Sequence, residues 1–396
     1  MADAPPDDLQ RSSPLRVLDH PPLRSFGRAL VLVAPAWIAA RLVVLAALAL
    51  AHATVGSLRP DNPGALARVH QGLLAWDGGW YVSIARHGYA ASGLQSVRFY
   101  PAFPMAGRVL GTIIGIGPGP ALVTIANLSS LAAMAGLAVL VQRDFGDRQL
   151  ARRSAWLLGL APAAYVLAWG YADGPLLLCA VVAFLGARTG RWWWAAAAGL
   201  GAGLVRPVGI VLVLPMVIEV VADRRRRAGA SSRGRWPAWI AAVVAPAAGT
   251  VGYLTWVRHQ FGDAWLPFRV QEQQGHRGGI TVPVSSMAHD LQAAFHGHHL
   301  GSALHIPWVV VAVVLVVVAF RRLPLSYGAF ALAALVVSLS SSNLDSFERY
   351  ALGAFPLVVA ASTLTSRRGV EVAVLVVAAG GMAAYAFLAF VGALVP

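Results

Sequence analysis

Residues 28–53 read RALVLVAPAWIAARLVVLAALALAHA, and after Arg28 the run carries a single charge, Arg41. As a helix rising about 1.5 Å per residue it would extend roughly 39 Å. The hydrocarbon core of a bilayer is about 30 Å thick. The run therefore reads as a membrane-spanning helix. Ala51-His52-Ala53 has the small-residue pattern of a cleavage site, but the apolar run before it is longer than a signal-peptide core. An uncleaved first span, preceded by a polar tail over 1–27, is the expectation.

The rest of the chain repeats this character. Hydrophobic residues make up 58% of the 396 and charged residues 12%, against about 25% charged in soluble domains. Further apolar runs lie at 119–141, 150–168, 172–187, 192–205, 207–222, 236–257, 305–320, 324–341, 350–366 and 369–394. The expected fold is an all-α polytopic membrane protein of about eleven spans, one domain over 28–394. The runs 192–205 and 207–222 are short and read either as a tight hairpin at Arg206-Pro207 or as one broken helix. Two long loops, about 54–118 and 258–304, fall on one side.

The net charge of +14 would suit nucleic acid, but its distribution does not. Every basic residue other than histidine is arginine, and 20 of the 31 arginines fall in the short loops on the side opposite the two long ones. This is the pattern of a topology signal. It predicts a cytoplasmic N-terminus, long loops facing outward across a plasma membrane, and no nucleic-acid partner. Cys179 stands alone and forms no internal disulfide.

The first long loop holds AWDGGWYVSIARHGY over 75–89. Trp80, Tyr81, Ile84 and Gly88 follow Asp77 at helical spacing, which reads as a short interfacial helix with Asp77 at its N-terminus. A bland role for Asp77 as a cap is the alternative, although a cap does not explain the aromatic density of Trp76, Trp80 and Tyr81. Beyond it lie Arg98-Phe99-Tyr100-Pro101-Ala102-Phe103-Pro104, Tyr171-Ala172-Asp173-Gly174, Arg206-Pro207-Val208-Gly209, Phe261-Gly262-Asp263, and Glu348-Arg349-Tyr350 followed by Phe355-Pro356. All map to the Arg-poor side.

In this order the segments resemble GT-C glycosyltransferases, and most nearly a bacterial relative of the PIG-V-type mannosyltransferases. Asp173 stands where that family carries Glu. The resemblance implies a polyprenyl-phosphate sugar donor, usually mannose, and a first-loop acid acting as base. Transfer with inversion needs a carboxylate to activate the incoming hydroxyl, and Asp77 is the candidate. The leaving lipid phosphate calls for arginine: Arg349 first, with Tyr350 beside it, then Arg206. Trp76, Trp80, Tyr81, His87, Tyr100, Tyr171, Asp173 and Asp263 are the candidate substrate contacts. The expected partners are membrane lipids, the lipid-linked donor, and an acceptor on a glycolipid, glycan or protein.

Other features carry bland readings. His289, Asp290, His296, His298, His299 and His305 match no zinc-ligand spacing; a divalent metal is not indicated but stays open, and the polyprenyl-phosphate sugar is the donor substrate that the resemblance implies. Asp345 and Glu348 read as neutralising Arg349. Arg41 reads either as a donor contact or as a brace between helices. The rival function is a transporter or lipid-linked-sugar flippase, which would need ionisable groups near the midplane; nearly all acids here lie at span ends or in loops. A third is a scaffold subunit without catalysis.

Overall fold

The structure, a computed structural model, describes residues 22–227, 234–273, 305–340 and 346–396, with side chains from Phe26 onward. Most of the N-terminal tail, Asp345, and the histidine-rich part of the second long loop apart from His305 lie outside the described residues. Among the described residues there is no strand.

The helices are α1 (Pro22–Leu58), α2 (Pro63–Gln71), α3 (Asp77–Ala91), α4 (Ala102–Ile114), α5 (Pro118–Phe145), α6 (Arg148–Leu160), α7 (Asp173–Arg188), α8 (Trp192–Val205), α9 (Val213–Arg226), α10 (Trp236–Phe261), α11 (Leu266–Gln271), α12 (Ile306–Arg322), α13 (Leu325–Leu339), α14 (Phe347–Gly353), α15 (Phe355–Leu364) and α16 (Arg368–Phe390). By length and composition, α5, α10, α16 and residues 26–58 of α1 can each cross a bilayer alone. Val31, Ile113 and Val377 are all more than 70% exposed. Such apolar exposure around a buried core suits lipid as the surrounding solvent.

Boundaries follow local chemistry. α5 starts at Pro118 after Gly117 and stops at Gly146, whose φ of 66° supplies the left-handed cap. The Asp147 carboxylate then accepts from the Gln149 and Leu150 amides and opens α6. Three expected runs are broken, two of them just before a proline and the third, 207–222, between Leu212 and Val213 after starting at Pro207. The run 150–168 becomes α6 and a 3-10 turn at Pro162–Leu167. The run 207–222 becomes a 3-10 turn at Pro207–Leu212 and α9. The run 350–366 spans α14 and α15, which meet at Ala354 before Phe355-Pro356. Proline lacks the amide an uninterrupted helix needs and favours a helix start. Between α8 and the second of these turns Arg206 is extended (φ −155°, ψ 151°), and Gly209 lies against the Ala202 carbonyl. The chain therefore folds back at Arg206, as the hairpin reading requires.

Packing is tightest where side chains are smallest. Gly199 and Gly203 of α8 face Pro246 and Gly249 of α10, close enough that a Cβ on Gly203 would strike the Pro246 carbonyl. Small residues four apart let membrane helices approach in this way. α7 lies between α5 and α8, and α1 packs on α5, α6 and α16. Arg41 in mid-α1 is a brace: its guanidinium donates to Asn127 Oδ1 at 2.9 Å, Ser130 Oγ at 2.5 Å and the Leu167 carbonyl at 3.0 Å.

Polar side chains collect at the two ends of the bundle. At the Arg-rich end, Arg188 meets Glu219 at 2.9 Å, Tyr327 donates to Asp144 at 2.7 Å, and Arg152 pairs with Glu371 at 2.6 Å. α7 joins this layer, through Arg188, to Asp173 at the opposite end about 22 Å away.

Candidate active site

At the Arg-poor end four charged side chains from four distant segments form one chain of contacts. Arg349 of α14 is central. Its Nε lies 3.1 and 3.0 Å from the two Asp173 oxygens, its Nη2 2.9 Å from Asp173 Oδ2, and its Nη1 donates to Asp77 Oδ2 at 2.8 Å. Arg206 Nη1 donates to Asp173 Oδ1 at 2.5 Å. Two arginines and two aspartates balance in charge, which buried ions require. The Arg349, Asp173 and Arg206 side chains are 4%, 9% and 10% exposed, while Asp77 is 30% exposed. Asp77 is thus the end of the network that opens outward. Arg349 Nη2, although close to Asp173, has no well-aligned acceptor.

Local structure sets these positions. Asp77 occupies the first turn of α3, where the helix dipole favours a carboxylate. The preceding Trp76 has φ 57° and ψ −120°, a strained conformation for a residue with a side chain. It is held by Trp76 Nε1 donating to the Ala389 carbonyl at 2.9 Å. The Tyr171 hydroxyl accepts from the Asp77 amide at 3.2 Å and reaches the Ala75 carbonyl at 3.3 Å. Asp173 begins α7, two residues after Tyr171. The Arg349 guanidinium lies 4.4 Å from the Tyr171 ring centre, and Arg206 lies 4.7 Å from that of Tyr350. The aromatic rings wall the ion network and limit its hydration.

The remaining expected residues divide. Trp76 and Trp80 are half-buried and line an open groove between α2 and α3. Tyr81 is buried against Phe99 and Phe103. Tyr100 is buried 4.4 Å from Tyr253, with no partner for its hydroxyl. Burial pushes both phenols up from their ordinary pKa. In this structure both rings pack as core, Tyr81 because the apolar face of α3 turns toward the bundle and Tyr100 because the segment before α4 lays it against Tyr253 of α10. His87 is exposed on the far part of α3. Asp263 caps the turn after α10 through the Trp265 amide at 2.9 Å and pairs with Arg269 at 3.0 Å, outside the four-residue network.

Glu348 does not neutralise its neighbour Arg349. Its carboxylate meets His305 Nδ1 at 2.7 and 2.8 Å and accepts from Tyr385 at 3.3 Å. Trp308 Nε1 donates to the same tyrosine at 2.9 Å. Sequence reasoning missed this network and also missed the Pro396 carbonyl, 3.3 Å from Arg349 Nη1. Nothing in their local sequence sets these groups apart. Among the described residues no group of three potential metal ligands assembles.

Residues 100–342 match glycosyltransferase family 87, well over half of the chain. The chain belongs to that family. The GT-C reading of its motifs agrees with this, whereas the PIG-V-type likeness remains one of motifs alone. The match includes Asp173 and Arg206 and stops short of Asp77 and Arg349. Among solved structures the chain is similar to ArnT from Cupriavidus metallidurans bound to undecaprenyl phosphate, at 16% identity over 81% of this chain and 72% of that one, with a TM-score of 0.47. It is also similar to the Archaeoglobus fulgidus oligosaccharyltransferase complexed with zinc and sulfate, at 13% identity, 75% and 44% coverage and a TM-score of 0.39. It spans less than half of the latter. No curated protein sequence matches. The protein is a membrane glycosyltransferase.

Proposed function

We propose that this family 87 member transfers a sugar, most simply mannose, from a polyprenyl-phosphate donor to an acceptor hydroxyl on the outer face of the plasma membrane, with inversion. The observation that carries the reading is the linkage of Asp77 through Arg349 to Asp173 and Arg206, with Asp77 as its accessible end. Asp77 takes the acceptor proton as its oxygen attacks the anomeric carbon. The C–O bond to the lipid phosphate breaks and its electron pair leaves with the phosphate. Arg349 and Arg206 receive that charge, and Tyr350 and Tyr171 hold the guanidinium planes. The unaligned Arg349 Nη2 is the donor ready for a phosphate oxygen. Trp76 and Trp80 supply sugar-facing surface.

Membranes carrying the protein are to be given radiolabelled polyprenyl-phosphate mannose, comparing wild type with Asp77→Asn at equal protein levels. Label moving only with wild type, with the variant down by about 10²–10⁴-fold, supports the base assignment. Near wild-type transfer by Asp77→Asn refutes it. The transporter reading gains no observation of its own, because Arg41 is spent on Asn127, Ser130 and Leu167.

A further inference from the structure

Beside the ion network lies a groove of about 470 Å³, lined by Arg68, Gln71, Trp76, Gly79, Trp80 and Ser83 among others. Its size falls within the range of about 300–1,000 Å³ common for small-molecule sites. Gly79, Trp80 and Ser83 lie on one side of α3 by their helical spacing, and Trp76 joins them from the residue before the helix. Asp77 directly follows Trp76 in the chain and opens α3, which places the proposed base next to the groove's lining. Gly79 keeps it open: a Cβ there would meet nothing closer than the Leu74 carbonyl at 3.9 Å.

The groove's charge is unbalanced. No lining residue is acidic, and Arg68 pairs with no carboxylate among the described residues. Its Nε is buried without an acceptor, and its guanidinium lies 4.7 Å from the Trp76 ring centre. Burial and the like charge of Arg59 both lower the Arg68 pKa, an environment that an anion would relieve. Half-buried indoles beside Gln71 and Ser83 suit a sugar ring, with apolar faces for stacking and amide and hydroxyl for its oxygens.

We infer that this groove holds the acceptor, and that the acceptor is an acidic saccharide: Arg68 takes its phosphate or carboxylate while Trp76 and Trp80 stack on the sugar. The inference rests on the proposed role of Asp77, which would then meet an acceptor hydroxyl at the groove's edge.

Purified full-length protein is to be titrated with methyl mannoside, its 6-phosphate and inorganic phosphate. Wild type should bind the 6-phosphate about tenfold or more tighter than either of the others. Arg68→Gln should lose that advantage and Arg68→Lys recover part of it. Gly79→Leu, which fills the groove without touching a charge, should weaken both sugars. Farnesyl phosphate, as a donor-lipid probe, should bind alongside the sugar phosphate. Equal or absent binding of the two sugars by wild type overturns the inference, as does an advantage that survives in Arg68→Gln. Inorganic phosphate binding as well as the sugar phosphate makes this a bare anion site and also overturns it. Competition by farnesyl phosphate would give the groove to the donor and do the same. Asp77→Asn should keep the binding preference, so failure of the base assignment is read separately, in the transfer assay.

Discussion

Removing the charge of Asp173 would leave Arg206 and Arg349 facing each other in a buried site. Breaking a buried pair in this way costs about 3–5 kcal/mol, because the partner's charge is left uncompensated. Asp173→Asn is therefore expected to lower the melting temperature of the detergent-solubilised protein markedly. Asp77 is 30% exposed and can exchange its contact with Arg349 for water. Asp77→Asn should accordingly melt close to wild type while losing transfer. Melting curves for the two variants, set beside the transfer assay, test the division of labour. Equal destabilisation by both would make Asp77 a structural ion like Asp173. At this scale the motifs were legible and the pairings were not. Asp77, Asp173, Arg206 and Arg349 stand out as polar residues at span ends, but which carboxylate meets which guanidinium depends on how each helix is turned. Tyr81 and Tyr100 show the same limit: helix rotation buries the first, and packing of the segment before α4 against Tyr253 buries the second.

Among the elements, α14 is the most exacting, since its seven residues carry Arg349 and end at the break at Ala354. Glu348 ties α14 to His305 at the start of α12 and to Tyr385 on α16. Glu348→Gln would weaken this tie without touching the four-residue network. Because small misplacements of a positioned group cost up to about 100-fold in rate, the variant should lose kcat, and because Glu348 and His305 are both buried it should also melt lower than wild type. Kinetics at saturating donor, alongside a melting curve, check this; unchanged kcat would remove the tie from the function. Gly203 offers a structural contrast. Gly203→Val would force a side chain onto the Pro246 carbonyl and separate α8 from α10, and overpacking of this kind costs about 1–3 kcal/mol. A lower melting temperature is the expected reading, and an unchanged one would contradict the close approach.

For the whole molecule, one polar layer holds the ion network and another, about 22 Å along α7, holds Arg188 with Glu219. By the positive-inside rule the arginine distribution predicts a cytoplasmic position for the second layer. With Cys179 replaced by serine, a cysteine at Ala91 should react with an impermeant maleimide in intact cells, and one at Arg226 only after lysis. The reverse pattern would invert the orientation and move the proposed chemistry inside.

The sequence by itself determined the membrane class, most helix positions and the end of the bundle at which the polar motifs gather. Hydropathy and arginine bias are sums along the chain, and the bilayer reads them in the same one dimension. Only the tertiary structure decided that Arg349 bridges Asp77 and Asp173, that Arg41 is a brace, that Glu348 serves His305, and that Arg68 lies unpaired in a groove beside Trp76. The Arg41 and Arg349 contacts join residues 86 to 272 positions apart, and Glu348 lies 43 positions from His305. They arise from helix rotation and close packing, which no local pattern encodes.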